Sequence, residues 1–130
     1  MKKHSVNKAI YIKSNYYDEG ILSEGVFFEA KDVGPKEFLT LIRNAKAVFT
    51  DSFHGCAFSI IYKKQFYVSK YNNPARIHDL CEKMTIGHRN AYSLRHLSLI
   101  DEIDYEKVEA RMNYWIKQSM VYIREAVWGE

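Results

Sequence analysis

The stretch that decides the fold is Val48-Phe49-Thr50-Asp51-Ser52-Phe53-His54-Gly55-Cys56-Ala57. It opens in an apolar run, Lys46–Thr50, of the kind found in short strands buried in a parallel sheet. The polar residues that follow predict a tight turn, and the apolar run from Cys56 to Tyr62 predicts a buried helix. A strand, a turn and a helix in this order form the repeating unit of α/β proteins.

The same alternation extends along the chain on both sides of this stretch. Further strands are predicted over residues 8–13, 25–29 and 65–69. Helices are predicted to start at Gly34-Pro35 and at Asn73-Pro74, because proline fits the first helical position, where its missing N–H has no intrahelical partner. The apolar residues of the second of these helices recur at helical spacing: Ile77, Leu80, Cys81 and Met84.

A long helix is predicted at the end of the chain, capped by Asp104 and running to about Val127. Its apolar stripe consists of Val108, Met112, Trp115, Ile116, Met120, Ile123 and Val127. At about 36 Å it is long enough to lie across the sheet as a brace. The whole pattern predicts one α/β domain over residues 1–130, with a parallel sheet flanked by helices and right-handed crossovers between strands.

Composition excludes several classes of protein. Of the 130 residues, 47% are hydrophobic and 27% charged, which is ordinary for a soluble globular domain. The net charge of +3 is too small to argue for nucleic acid. The two cysteines form no Cys-x-x-Cys pair and the histidines lack zinc-site spacing, so no metal is expected. No signal peptide or transmembrane span is apparent, which favours a cytoplasmic location.

The turn after the central strand is the best candidate for a site. Ligands of open α/β sheets bind outside the carboxyl ends of strands, and a helix N-terminus attracts phosphate or carboxylate. Gly55 would let a ligand approach the backbone, Ser52 can donate to a phosphate oxygen, and His54 can carry a proton. The same residues can also have purely structural roles, since aspartate and serine are ordinary helix caps. Cys56 suits packing better than nucleophilic attack.

Two segments of the chain strongly resemble the polysaccharide pyruvyl transferase family. One is Gly34-Pro35-Lys36-Glu37-Phe38-Leu39 with Ile42-Arg43-Asn44-Ala45, and the other runs from Val48 through His54-Gly55 to Ile61. The resemblance covers roughly residues 34–127, is most specific over 47–61, and is poor over the N-terminal segment 1–33.

The resemblance implies a Rossmann-like half of the GT-B type. It also implies transfer of a pyruvyl group from phosphoenolpyruvate to a saccharide in the synthesis of exopolysaccharide or cell-surface glycan, without a metal or other cofactor. His54 is then the catalytic or phosphate-contacting residue. The other residues expected around the donor are Ser52, the backbone amides of Gly55, Cys56 and Ala57, Arg76 for the carboxylate, and Asp51, which would orient His54 or cap the helix.

The family's proteins are several hundred residues long, and the chain resembles only the last part of their second half. We therefore expect an incomplete enzyme, whose activity as a lone chain stays undecided. The expected partners are phosphoenolpyruvate, a saccharide acceptor, and either further copies of the chain or a polypeptide that supplies the N-terminal half. Two alternatives remain open: a non-catalytic module that oligomerises through exposed apolar surface, and the nucleotide-sugar-binding half of a GT-B glycosyltransferase.

Overall fold

The computed structural model describes residues 9–11, 27–29, 32–68, 74–91 and 99–129. Within them the elements are, in chain order, strands β1 (Ala9–Tyr11) and β2 (Phe27–Glu29), helix α1 (Pro35–Asn44), strand β3 (Ala47–Thr50), helix α2 (Phe53–Ile61), strand β4 (Gln65–Val68), and helices α3 (Pro74–Met84) and α4 (Tyr105–Trp128). Each lies where the sequence pattern predicts it, apart from an earlier start of α2. The chain is a mixed α/β protein with a long C-terminal helix.

The described strands form two parallel pairs. β1 pairs with β2, with Ala9 opposite Phe27, and β3 pairs with β4, with Ala47 opposite Gln65 and Thr50 opposite Val68. Parallel neighbours need a crossover connection, and α2 provides it between β3 and β4. The predicted parallel pairing is therefore confirmed for these strands.

Helix α2 begins at Phe53, three residues before the start that its apolar run predicts. The reason is Ser52, whose side chain caps the helix and allows the polar residues after it to take helical geometry. As a result, Phe53, His54 and Gly55 form the first turn of α2 and do not belong to a loop.

The main core lies between α2, β4, α3 and the start of α4. Its buried side chains are Cys56, Ile60, Phe66, Val68, Ile77, Cys81, Met84, Ile103 and Val108. The predicted apolar face of α3 is confirmed, since Ile77, Cys81 and Met84 are buried and Leu80 packs against the same cluster while partly exposed. Across α1 and α2, the rings of Phe38 and Phe58 meet edge to face at 6.4 Å.

Helix α4 packs over only part of its length. Val108 is buried, Met112 and Trp115 pack on the core, and the Trp115 indole Nε1 donates to the Lys83 carbonyl of α3 over 3.2 Å. Every residue from 116 to 129 is exposed. The expectation of a brace across the sheet is wrong for this second half, because helical periodicity reports which side of a helix is apolar and not how far its neighbours extend.

The segment before α4 is tied to β4 by polar contacts. The Gln65 side chain donates to the Ile103 carbonyl over 3.1 Å and accepts from the Ile103 amide over 2.8 Å. The Tyr105 hydroxyl donates to the Lys64 carbonyl. These bonds hold the beginning of α4 against the amino end of β4.

Candidate functional site

The turn between β3 and α2 is held by hydrogen bonds of its own residues. Thr50, the last residue of β3, accepts a hydrogen bond at Oγ1 from the Ser52 amide over 3.0 Å. Ser52 Oγ accepts in turn from the Gly55 amide over 3.4 Å, and the Ser52 carbonyl accepts from the Cys56 amide over 3.0 Å. Ser52 is thus the N-cap of α2, and the capping role that the sequence offered to Asp51 belongs to Ser52. Asp51 lies partly buried in the turn.

Gly55 lacks a side chain because Thr50 occupies the space. A Cβ atom at position 55 would lie 2.9 Å from the Thr50 Cβ and 3.1 Å from its Cγ2, closer than such atoms normally approach. Gly55 is itself buried. The expectation that this glycine admits a ligand to the backbone is therefore replaced by a packing explanation, in which strand and helix meet at close range.

The amides available to an anion differ from those expected. The amides of Gly55 and Cys56 already donate to the side chain and the carbonyl of Ser52. The amide of Ala57 lies further along the helix, where each amide donates to the carbonyl four residues earlier. Within the described part of the chain, the amides of α2 without such an acceptor are those of Phe53 and His54. The anion-attracting end of α2 is therefore two residues earlier than the sequence suggests.

His54 and Arg76 each contact Phe53, the first residue of α2. The Arg76 guanidinium of α3 lies 4.2 Å above the centre of the Phe53 ring. The ring of His54 meets Phe53 edge to face at 5.8 Å. Both His54 and Arg76 are exposed. A histidine and an arginine thus both contact the ring of the residue that opens α2.

The two cysteines are packing residues. Cys56 and Cys81 are buried in the main core and make no disulfide. Burial raises the pKa of the Cys56 thiol to about 12 and that of Cys81 to about 11. Both thiols are therefore protonated near neutral pH, and the structure agrees with the sequence-based preference for packing over nucleophilic attack.

Arg89 is a buried residue whose role the sequence does not indicate. Its Nε donates to the Phe66 carbonyl over 2.9 Å, its Nη1 donates to the Asp101 carbonyl, and its guanidinium lies 5.1 Å from the Tyr67 ring centre. Burial lowers its pKa from the ordinary arginine value. The side chain joins β4 to the segment before α4. No pattern in the sequence distinguishes this arginine from a solvated one in a loop.

The described residues offer no group of three histidine, cysteine, aspartate or glutamate side chains that could hold a metal ion. Among the helices in that part of the chain, none is long and apolar enough to cross a membrane.

Comparison with known proteins identifies the family. The family model described as polysaccharide pyruvyl transferase matches residues 2–73, a span that contains β3, the turn, α2 and β4. The match includes the N-terminal segment, over which the quoted motifs show only a poor resemblance, and it ends just before α3. No curated protein and no solved structure matches the chain, so the Rossmann-like, GT-B-type architecture stays a prediction. Because the matched span is more than half of its length, the chain belongs to the polysaccharide pyruvyl transferase family.

Proposed function

We propose that the first turn of α2 binds phosphoenolpyruvate and that His54 acts on it during pyruvyl transfer to a saccharide. The observation that carries the proposal is an exposed imidazole, beside the available amides of Phe53 and His54, inside the span that matches the family. These amides and the partial positive charge of a helix N-terminus suit a phosphate dianion.

The remaining groups suit the rest of the donor. Ser52 Oγ accepts from the Gly55 amide, which leaves its own hydroxyl hydrogen to donate to a phosphate oxygen. The Arg76 guanidinium has the fork of donors that matches a carboxylate, and the Phe53 ring supports it from below. In this arrangement the phosphate lies at the helix end and the carboxylate points toward α3.

The reaction then needs protonation of one carbon and the addition of two hydroxyl groups to its neighbour. His54 gives a proton to the methylene carbon of phosphoenolpyruvate, which becomes a methyl group and leaves positive charge on the neighbouring carbon. A sugar hydroxyl adds to that carbon, the bond to the phosphate oxygen breaks, and a second hydroxyl closes the ketal. One hydroxyl proton restores His54, and the other leaves with phosphate. The nearby amides and Arg76 offset the negative charge that phosphate carries away.

Calorimetric titration with phosphoenolpyruvate tests the proposal. The wild-type chain is expected to bind, and His54→Gln is expected to bind at least tenfold more weakly, since it removes the imidazole while α2 stays capped by Ser52. His78→Gln is the matched control, because His78 is an exposed histidine on α3 that pairs with Glu82 at 3.3 Å. Wild-type binding that is undetectable, equal affinity for the His54 variant, or binding of a UDP-sugar in place of phosphoenolpyruvate would each reject it.

A further inference from the structure

The side chain of Thr50 contacts the turn at two points, one on each side of His54. Its Oγ1 accepts a hydrogen bond over 3.0 Å from the amide of Ser52, two residues before the histidine. Its Cβ and Cγ2 lie beside Gly55, the residue after the histidine, where an added Cβ would be 2.9 and 3.1 Å from them. The backbone that carries His54 is therefore held on both sides by one residue of β3.

The hydrogen bond from the Ser52 amide fixes the residue that caps α2. Ser52 has an extended backbone, with φ −97° and ψ 133°, and its side chain accepts from the Gly55 amide over 3.4 Å. That distance is longer than in most N–H···O hydrogen bonds, so this bond by itself fixes the cap weakly. The bond to Thr50 is shorter and holds Ser52 by its amide, on the side of the strand.

The amides that we assign to phosphate follow Ser52 directly. They are those of Phe53 and His54, which have no acceptor within the described part of the chain. An amide N–H lies in the plane of its own peptide group, so a change in the backbone angles of Ser52 turns these N–H bonds and moves the imidazole with them. Thr50 can therefore act on the donor site without contacting the donor.

Threonine is the residue that supplies both contacts. Serine has the hydroxyl oxygen that accepts from the Ser52 amide but lacks the methyl group that packs on Gly55. Valine has the branched shape but no acceptor oxygen. A purely structural explanation also exists, because β-branched residues are favoured in strands whether or not they carry a hydroxyl. Under that explanation, valine would serve at position 50 as well as threonine does.

We propose that Thr50 is a positioning residue for the donor site. Its hydrogen bond to the Ser52 amide holds the imidazole of His54 and the amides of Phe53 and His54 in the arrangement that phosphoenolpyruvate requires. This inference rests on the proposed function, since it concerns the geometry of the same site. The contact with Gly55 contributes to stability, and the hydrogen bond contributes to affinity.

Two substitutions separate the hydrogen bond from the packing. Thr50→Val keeps the branched shape and removes the acceptor, and we expect it to bind phosphoenolpyruvate about tenfold more weakly than the wild type. Thr50→Ser keeps the acceptor and removes the methyl group, and its affinity should stay within about twofold of the wild type. Both variants should lose some stability, so a purely structural role would lower affinity in both or in neither.

Calorimetric titration with phosphoenolpyruvate measures the affinities, and circular dichroism checks that each variant is folded at the temperature of the titration. Thr40→Val is the matched control. Thr40 is exposed on α1, where its Oγ1 donates to the Lys36 carbonyl over 2.9 Å. The substitution therefore removes a threonine hydroxyl that takes no part in the turn, and affinity should be unchanged.

Amide hydrogen exchange examines the same bond without the donor. The Ser52 amide should exchange at similar rates in the wild type and in Thr50→Ser, and about tenfold faster in Thr50→Val. If the wild type does not bind phosphoenolpyruvate, the proposed function is rejected and the positioning role with it. If the wild type binds, the positioning role alone is overturned by equal affinity of Thr50→Val, by a Thr50→Ser variant as weak as Thr50→Val, or by equal exchange in the two variants.

Discussion

Thr50 and Gly55 are in such close contact that no other residue fits at position 55 without movement of strand or helix. The Thr50 side chain occupies the space where a Cβ of residue 55 would lie. Its Oγ1 also accepts a hydrogen bond from the amide of Ser52, which lies between the two residues in the sequence. One threonine therefore sets both the packing and the hydrogen bonding of the turn that carries His54.

This contact predicts that Gly55→Ala destabilises the protein, although alanine is the better helix former. A Cβ at position 55 would overlap Thr50 Oγ1 and crowd Thr50 Cβ and Cγ2, so it must push β3 and α2 apart, at about 1–3 kcal/mol. The free energy of unfolding from urea titration measures the loss. In a Thr50→Ala background the same substitution should be less harmful, because two of the three close atoms are gone. Equal losses in both backgrounds would show that Thr50 is not the obstacle.

Ser52 allows capping and donor binding to be separated. Ser52→Ala removes the cap of α2 and should lower stability by about 1 kcal/mol, whereas Ser52→Asp keeps a capping oxygen and should stay near wild type. The aspartate also places a negative charge where the phosphate is proposed to bind. We therefore expect its phosphoenolpyruvate affinity to fall more than tenfold at nearly wild-type stability, as measured by calorimetry and urea unfolding. Unchanged affinity would exclude the phosphate from this helix end.

Arg76 is expected to contribute affinity with little contribution to stability. Its guanidinium is exposed and rests on Phe53, so Arg76→Gln should change the free energy of unfolding by less than about 1 kcal/mol. Affinity for phosphoenolpyruvate should fall by about tenfold as one charge-assisted contact is lost. Arg43→Gln is the control, since Arg43 lies in the last turn of α1, before the amino end of β3. If both variants bind equally well, Arg76 has no role with the donor.

Arg89 should be among the residues most important for stability. Arg89→Leu leaves the carbonyls of Phe66 and Asp101 without their donors, and we expect a loss of about 3 kcal/mol. Arg111 offers a comparison, because its Nε also donates to a main-chain carbonyl, that of Lys83, but the residue is only partly buried. Arg111→Leu should cost about 1 kcal/mol. Chemical denaturation of the two variants checks the order.

Stability should fall at alkaline pH because of the buried thiols. The pKa of Cys56 is raised from 9.0 to about 12 in the fold, so the unfolded chain releases its proton first. The contribution of the protonated Cys56 thiol to the free energy of unfolding is fully present below about pH 9. It falls by about 1.4 kcal/mol for each pH unit between about pH 9 and pH 12. Cys81 and Tyr105 act in the same direction, since burial raises their pKa values too. Urea midpoints at about pH 8 and pH 10.5 measure the decline, and Cys56→Ala should make it shallower.

Local patterns predicted the elements of this fold because each element depends on its own residues. The apolar runs predicted β3 and β4, the prolines predicted the starts of α1 and α3, and the spacing of Ile77, Cys81 and Met84 predicted the buried side of α3. The start of α2 was predicted less well, because capping depends on whether Ser52 bonds the Gly55 amide, which residue type alone does not decide.

The sequence by itself determined the order of strands and helices, the family, and the position of His54 beside a helix start, because these depend on short-range pattern and covalent order. Only the tertiary structure decided that Arg76 rests on Phe53, that Thr50 explains Gly55, that Arg89 is buried, and that half of α4 is uncovered. Each of these involves groups on different elements or on both sides of a turn. Their distances depend on how the chain packs, which no periodicity along the chain encodes.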